Sequence, residues 1–382
     1  MTYNLLYAGF DTLDVAFAGA LRKSAFVDLE RARQEAQDRQ EKVLAKIGPG
    51  GLNVHVYGHG KRGGYAYICD TGPLGAIWMF KKNLDARQWN IFVSPHATML
   101  LAYGYTGTRH RLWQTLEAMG AVVTDHSINR VDFAMDFRTQ GFEVQLDQFV
   151  AHSHTKVRPY WGSREPSKDP NQPEAVMRGR RLESVTIGKQ PNRQIILYDK
   201  YREVIEKQKT YWFKAWKVEQ IDSSLEVWRV EVRSGKKHLK EKYKIRTFDD
   251  LETGIGDVIV NALFDVRYVA EMQRDSNITR QAIHPLWLAC INTAKGKLID
   301  FRSGLTPDQV RMIEREIAVK TYAKQLSGLA ISLGVVLGLD DATILKDLVK
   351  HTSPFINSAL KREDGQAAKT VRRARERLHF IS

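Results

Sequence analysis

Three short stretches of this 382-residue chain carry side-chain types that could act on a phosphodiester. In RVDFAMDF, strand alternation places Arg130, Asp132, Ala134 and Asp136 on one face and Val131, Phe133, Met135 and Phe137 on the other. VWRVEVR repeats the arrangement, with Trp228, Val230 and Val232 pointing one way and Arg229, Glu231 and Arg233 the other. If the two strands lie near each other in one sheet, Asp132 and Glu231 could share a divalent cation. Oxygen ligands of this kind suit Mg²⁺ or Mn²⁺ rather than zinc. Asp136 fits such an ion less easily, because residues i and i+4 of a strand lie roughly 13 Å apart. One ion reaches both aspartates only across a bulge or a strong twist.

The third stretch is RQIILYDK, in which Gln194, Ile196, Tyr198 and Lys200 share a face. A tyrosine two residues from a lysine, with Arg193 nearby, could attack a phosphate. Its hydroxyl ionises near pH 10, so forming phenolate at pH 7 costs roughly 4 kcal/mol at about 1.36 kcal/mol per pH unit. A bound cation and a neighbouring lysine supply help of that order, and a strand holds the ring rigidly enough for in-line attack. Taken singly, each feature is ordinary: strand tyrosines pack and strand acids are solvated. The combination of three polar strand faces carries the reading.

The elements that must position these faces can be read along the chain. Residues 28–47 are charged, helix-forming and free of glycine and proline, and Gly48 to Gly51 end that helix. LNVHVYG, GYAYICD, AIWMF, WNIFVS and TMLLAYG then read as an antiparallel meander, and residues 108–119 return to helical spacing. In the second segment INRVDFAMDF is a strand, EVQLDQFVAHS a helix, and residues 158–181 a basic loop. LESVTIG, RQIILYD and LEVWRVEVR are further strands, with a helix starting at YREVIEKQ and others over HLKEKYKI and DDLETGIGDVIVNALFDVRYV. Both segments read as strand, helix, antiparallel strands, helix. The expected fold is α+β: a pseudo-duplicated antiparallel-sheet catalytic core with a C-terminal helical region. Residues 1–125 form the N-terminal half, 126–270 the catalytic half, and 271–382 a helical region with a basic tail. Thr306-Pro307-Asp308 is a helix start.

Composition bounds the partner. Lysine plus arginine number 58 against 44 acidic residues, a net charge of +14, and hydrophobic residues make up 43%. A folded protein this basic is expected to meet a polyanion, and nucleic acid is the commonest. Two distant cysteines, Cys69 and Cys290, argue for a reducing compartment and against a zinc site. The opening lacks a signal-peptide pattern. The most apolar stretch, Leu326 to Leu339, is too short to cross a bilayer and is expected to be a buried helix. The expectation is a cytoplasmic protein with no membrane contact.

INRVDFAMDF, VTIGK, RQIILYDKYRE and WRVEVR, with the opening GFDTLDVAF, together resemble the replication initiation factor family. That family includes initiators of rolling-circle plasmids and filamentous phages and relaxases of integrative conjugative elements. The resemblance spans roughly residues 8–270. It implies an antiparallel-sheet α+β core distantly similar to nicking nucleases, with Tyr198 forming a 5′-phosphotyrosyl link and freeing a 3′-hydroxyl primer. It also implies that Asp132, Asp136 and Glu231 bind the catalytic metal. No helix-turn-helix precedes the core, which favours an initiator over a relaxase.

The expected partner is single-stranded or supercoiled DNA, with a host helicase and a second copy of the chain as further candidates. Arg130, Arg229 and Arg233 on the strand faces and Arg164, Arg178, Arg180 and Arg181 in the basic loop are expected to meet DNA, with Tyr160 and Trp161 stacking on bases. The hairpin tip at 61–64 and the terminal KTVRRARERL could touch phosphate. His152-Ser153-His154 has the wrong spacing for a ligand pair at a helix end, and His55 and His59 read as ordinary turn or strand residues. Two other readings stay open: a non-catalytic DNA-binding protein, and a nuclease that activates water without a covalent step.

Overall fold

The computed structural model describes residues 3–151, 174–178, 181–189, 192–218, 224–271, 280–361 and 366–382. Its centre is one antiparallel sheet of 11 strands in the order β2-β3-β4-β5-β6-β1-β7-β12-β11-β10-β9. The first half contains β1 (Asn4–Leu21), α1 (Lys23–Arg39), β2 (Val43–Ile47), β3 (Leu52–Val56), β4 (Tyr65–Asp70), β5 (Ala76–Lys81), β6 (Trp89–Pro95) and α2 (Ala97–Ala118). The second begins with β7 (Ala121–Thr139) and the short β8 (Phe149–Ala151). It continues through β9 (Glu174–Arg178), β10 (Arg181–Gly188), β11 (Arg193–Asp199), α3 (Lys200–Glu206), α4 (Tyr211–Ala215), β12 (Glu226–Gly235), α5 (Lys236–Tyr243) and α6 (Phe248–Asp265).

In each half the first strand is long, a meander follows, and the last meander strand returns to pair with the first: β6 with β1, β12 with β7. The two long strands then pair antiparallel along their whole length. This is a duplicated topology without a repeated sequence, and it confirms the α+β, antiparallel reading.

Alternation explains the layering. Val131, Phe133, Met135 and Phe137 of β7 and Trp228, Val230 and Val232 of β12 turn into one continuous core. There they meet Leu112 of α2, Leu251 and Val258 of α6, and Trp287 of α7 (Pro285–Ala294). At 25 cal/mol per Å², burying each such side chain contributes about 1.5–3 kcal/mol. The opposite face of the second half lies under a smaller cluster: Tyr211, Trp212, Phe213 and Trp216 around α4, and Val310 and Ile313 of α8 (Pro307–Val336). Thr306 caps α8 in a reciprocal capping box with Gln309, with Pro307 in the first turn. The remaining elements are β13 (Val266–Tyr268), paired with β8, then α9 (Asp341–Leu360) and α10 (Gln366–Arg377).

Several expectations are corrected. The helix expected over 28–47 ends at Arg39, and Val43 to Ile47 form the edge strand β2. TMLLAYG is the first part of α2 rather than a strand; Gly104, at φ +63°, kinks the helix there. EVQLDQFV forms a single 3₁₀ turn and β8 instead of a helix, and residues 152–153 lie outside the described part. The basic loop contributes β9 at its end. Leu326 to Leu339 does not form a buried helix: Leu326, Leu329, Val335 and Val336 are all exposed. Cys69 and Cys290 are buried free thiols. No single helix is long and apolar enough to cross a membrane among the described residues.

Candidate active site

Strand register assembles the three polar faces. β7 pairs with β12 so that Asp136 opposes Arg229 and Asp132 opposes Arg233. β12 pairs with β11 so that Arg229 opposes Tyr198 and Glu231 opposes Ile196. One transverse row therefore reads Asp136, Arg229, Tyr198 and Ser184. Side chains in such a row stand about 5 Å apart, close enough to interact directly.

These residues are not a solvated face. Asp132, Asp136, Arg229 and Glu231 are each at most 1% exposed. Buried charges are costly unless paired and hydrogen-bonded, and here each has its partners. The Arg229 guanidinium donates to both oxygens of Asp136, at 2.5 and 2.9 Å, and through Nη1 to Asp11 at 2.8 Å. Its Cζ lies 4.1 Å from the Trp212 ring centre. The Trp216 indole donates to Asp136 at 2.8 Å. Arg130 forks onto Asp132, and Arg233 donates to Glu231 at 2.7 Å with Asp132 3.7 Å away.

Tyr198 is half-buried beside this network and donates a long hydrogen bond, 3.3 Å, to Glu231 Oε2. It lines a cavity of about 500 Å³ together with Lys200, Glu231, Arg233, Asp11 and Trp212. Burial pushes the Tyr198 hydroxyl well above its ordinary value; Arg229 opposes that rise, and the Glu231 and Asp11 charges add to it. Burial likewise raises Glu231, reinforced by the charge of Asp11, and burial raises Asp132. Lys200, 3% exposed, is brought down to about 8 by burial and then by the charge of Arg229. Its ammonium bonds Glu203, lies 5.6 Å from the Tyr198 ring centre, and lies 4.7 Å from that of Trp212.

The structure brings together Tyr198, Lys200, Asp132, Glu231, Arg130 and Arg233. It separates others. Arg193 belongs to the core-facing set with Ile195 and Leu197, and its guanidinium pairs with Asp265 at 2.5 Å, so it does not assist Tyr198. Both carboxylate oxygens of Asp136 are engaged, by Arg229 and Trp216. Arg229 is fully buried and has no surface to offer DNA. Arg181 pairs with Asp199 at 3.2 Å and lies over Trp228, on the other side of the sheet. Arg164 and Arg180 lie outside the described residues, as do Tyr160, Trp161 and His152-Ser153-His154. Arg178 is placed only as the end of β9.

The donor set does not fit a divalent cation as it stands. Among the described residues no three His, Cys, Asp or Glu side chains converge on one point, and the Arg233 guanidinium already bridges the Asp132 and Glu231 carboxylates.

Two contributors escaped the sequence reading. Asp11 sits where the β1–β7 register slips between Phe10 and Thr12, a bulge that re-aims its side chain onto Arg229. The one available signal was the pair of acids in GFDTLD, Asp11 and Asp14, inside a largely apolar strand. The other is the aromatic cover YWFKAW, whose four rings in six residues mark a buried patch rather than a loop.

Fold and site define an α+β protein with a half-buried tyrosine at the edge of a paired, buried charge cluster. No family model and no curated protein sequence matches the chain. Among solved structures it is similar to the rolling circle replication initiator protein from Geobacillus stearothermophilus. That match has 14% identity and a TM-score of 0.38 over 78% of this chain and 99% of that one. At that TM-score the likeness carries no functional argument.

Proposed function

We propose that this chain nicks one strand of DNA with Tyr198 as nucleophile, acting as a rolling-circle replication initiator. The observation that carries the reading is the Tyr198 hydroxyl hydrogen-bonded to buried Glu231 at the wall of a cavity flanked by Lys200 and Arg233. The motif resemblance of residues 8–270 supports it, as does the net charge of +14.

The chemistry follows from the positions. The Tyr198 oxygen forms a bond to the backbone phosphorus while the bond from phosphorus to the 3′-oxygen breaks, and the departing 3′-oxygen takes a proton from water, leaving a 5′-phosphotyrosyl link and a 3′-hydroxyl. The hydroxyl proton passes to Glu231, whose raised proton affinity suits an acceptor. Lys200, cationic at pH 7, and Arg233 face the charge that develops on tyrosine and phosphate. Arg130 and Arg233, each partly exposed, would hold the DNA backbone at this edge. A Mg²⁺ or Mn²⁺ ion reaching Asp132 and Glu231 would have to displace the Arg233 guanidinium.

The test is covalent trapping of end-labelled single-stranded or supercoiled origin DNA on denaturing gels, with added Mg²⁺, added Mn²⁺ or chelator. The parent is expected to form an adduct and Tyr198→Phe none, a loss of at least about a thousandfold for removing a nucleophile. Equal adduct from Tyr198→Phe overturns the assignment. DNA binding without any adduct makes the protein a binding module, and cleavage without an adduct makes it a water-activating nuclease.

A further inference from the structure

On the first half of the sheet, the face away from the main core carries four aromatic side chains that belong to neither hydrophobic cluster: Tyr57, Tyr65, Trp89 and Phe92. Strand register puts them there. Phe92 of β6 stands between Ala16 of β1 and Met79 of β5. Met79 pairs with Ile68, and Tyr57, just past β3, ends that row by donating its backbone N–H to Ile68. Tyr65 opposes Lys81 across a bulge, and its ring centre lies 6.1 Å from that of Phe92. Trp89 opposes Ala18 across a second bulge, at the slip between Phe17 and Ala18. A solvated sheet face is ordinarily polar. Here three of the rings are half-buried in it and Trp89 is 37% exposed.

Each of three rings carries a lysine. The Nζ of Lys42 lies 5.8 Å from the Tyr57 ring centre, that of Lys81 lies 5.4 Å from Tyr65, and that of Lys236 lies 5.3 Å from Trp89. The nearby carboxylates are already engaged, Asp70 by His96 and Lys42 and Asp14 by Ser94. Lys81 and Lys236 have no carboxylate partner among the described residues.

The face runs on into the candidate active site. Phe92 and Tyr198 are four strand steps apart, from β6 across β1, β7 and β12 to β11, or roughly 19 Å at about 4.8 Å per step. Asp14 joins the two regions: Ser94 of β6 donates to it at 2.6 Å, and it opposes Arg130 of β7. Burial raises the Asp14 carboxyl, and Ser94, Arg130 and Lys61 of the hairpin tip oppose that rise. The tip at 61–64 therefore belongs to the same surface.

Chemistry selects the occupant. Rings set between cations match a chain in which flat bases alternate with phosphates. A duplex keeps its bases stacked on one another, so the ring faces serve only an unpaired strand. A bilayer would need apolar side chains projecting from the surface, whereas the groups that project beside these rings are lysines. We infer that this face is a stacking platform for single-stranded DNA, with bases on Tyr65, Trp89 and Phe92 and phosphates on Lys81, Lys236 and the hairpin tip. That the strand is DNA rests on the nicking assignment; that it is unpaired nucleic acid does not.

Fluorescence anisotropy of a labelled oligothymidine of about 12 nucleotides, measured with the full chain in chelator, tests this. Tyr65→Ala/Trp89→Ala is expected to weaken binding at least about twenty-five-fold, about fivefold for each base left unstacked. Its affinity for a duplex of the same length should stay within about twofold of the parent's, because the phosphate contacts remain. Tyr65→Phe/Trp89→Phe keeps a ring face at both positions and should bind the oligothymidine within about threefold of the parent. Lys81→Ala removes no ring and should lower the slope of log affinity against log salt by about 0.7, one phosphate contact on a single strand. A parent that leaves the oligothymidine unbound, an alanine variant that binds it equally well or loses duplex to the same extent, or an unchanged slope in Lys81→Ala overturns the inference. Tighter binding of oligouridine than of oligothymidine would make the strand RNA and overturn it. Binding of phosphatidylserine vesicles that the alanine variant loses would make the occupant a membrane and overturn it too. The expected binding without any covalent adduct in the trapping assay upholds the platform and removes only the Tyr198 assignment.

Discussion

In the first half of the sheet, the row Ala16, Phe92, Met79 and Ile68 crosses β1, β6, β5 and β4 on the face away from the main core. In the second half the corresponding row, across β7, β12, β11 and β10, is Asp136, Arg229, Tyr198 and Ser184. Both rows belong to the same topology, and both stand back to back with apolar rows that feed one core. The first half shows that this position in the sheet is satisfied by an apolar row, while the polar residues of the same face lie in the next row, Asp70, Ile77 and Ser94. Charges in the second half are therefore not needed to make the sheet, and their burial opposes stability unless the pairing is complete. A costly arrangement kept beside a cavity and a half-buried tyrosine is what a reactive site requires.

The largest effect expected from breaking this contrast comes from Arg229→Ala. It leaves Asp136 and Asp11 without their shared cation, one of them fully buried, and should cost about 3–5 kcal/mol in urea unfolding. Arg229→Met/Asp136→Leu, which makes the row resemble its first-half counterpart, should recover much of that loss. A single variant that loses less than about 1 kcal/mol would show that the pair is solvated and the contrast unreal.

Lys200 sharpens the comparison through pH. Its folded value, about 8, lies below the ordinary 10.5, so between those limits the unfolded chain holds a proton that the folded chain has released. Stability therefore rises with pH across that window and is diminished below about 8. Lys200→Met should flatten this rise, which amounts to at most about 3 kcal/mol at 1.36 kcal/mol per unit. Parallel slopes for parent and variant between pH 8 and 10.5 would assign the titration to another group. Trp216→Phe is expected to have a smaller effect, about 1.5–3 kcal/mol, because it removes one hydrogen bond to a buried carboxylate. Its check is a double-mutant cycle with Asp136→Asn, in which the two losses should not add.

How much of this was legible beforehand follows from the range of the interactions. Period-two alternation in 130–137 and 228–233 is a local property, and it correctly separated the core face from the charged face. Register is not local. Whether Asp136 meets Arg229 or a metal depends on how β7 slides against β12, and nothing within either stretch specifies that. The Asp11 bulge and the cover by Trp212 and Trp216 are likewise products of distant pairing. VLAKI, ending the helix expected over 28–47, had helical residues in a helical neighbourhood, and sheet-edge pairing with β3 overrode that propensity. In Leu326 to Leu339 composition alone suggested burial, whereas Leu326, Leu329, Val335 and Val336 are exposed.

The smallest effect expected is at Arg193, which proximity in sequence joined to Tyr198 and alternation placed on the opposite face. Arg193 and Lys242 both hold Asp265, whose carboxyl is drawn down to about 2 despite burial. That pair stabilises the fold above the ordinary carboxylate range, and its contribution is lost as pH falls through about 2. In Arg193→Ala the Lys242 partner remains, so the loss at pH 7 should be part of the roughly 2.5 kcal/mol that the lowered carboxyl represents, about 1–2 kcal/mol, with a shallower decline in stability between pH 4 and 2. Covalent adduct formation by this variant should equal the parent's. A loss of adduct comparable to that of Tyr198→Phe, with stability unchanged, would mean that the two faces of β11 act together and that the division between core and reactive face is drawn in the wrong place.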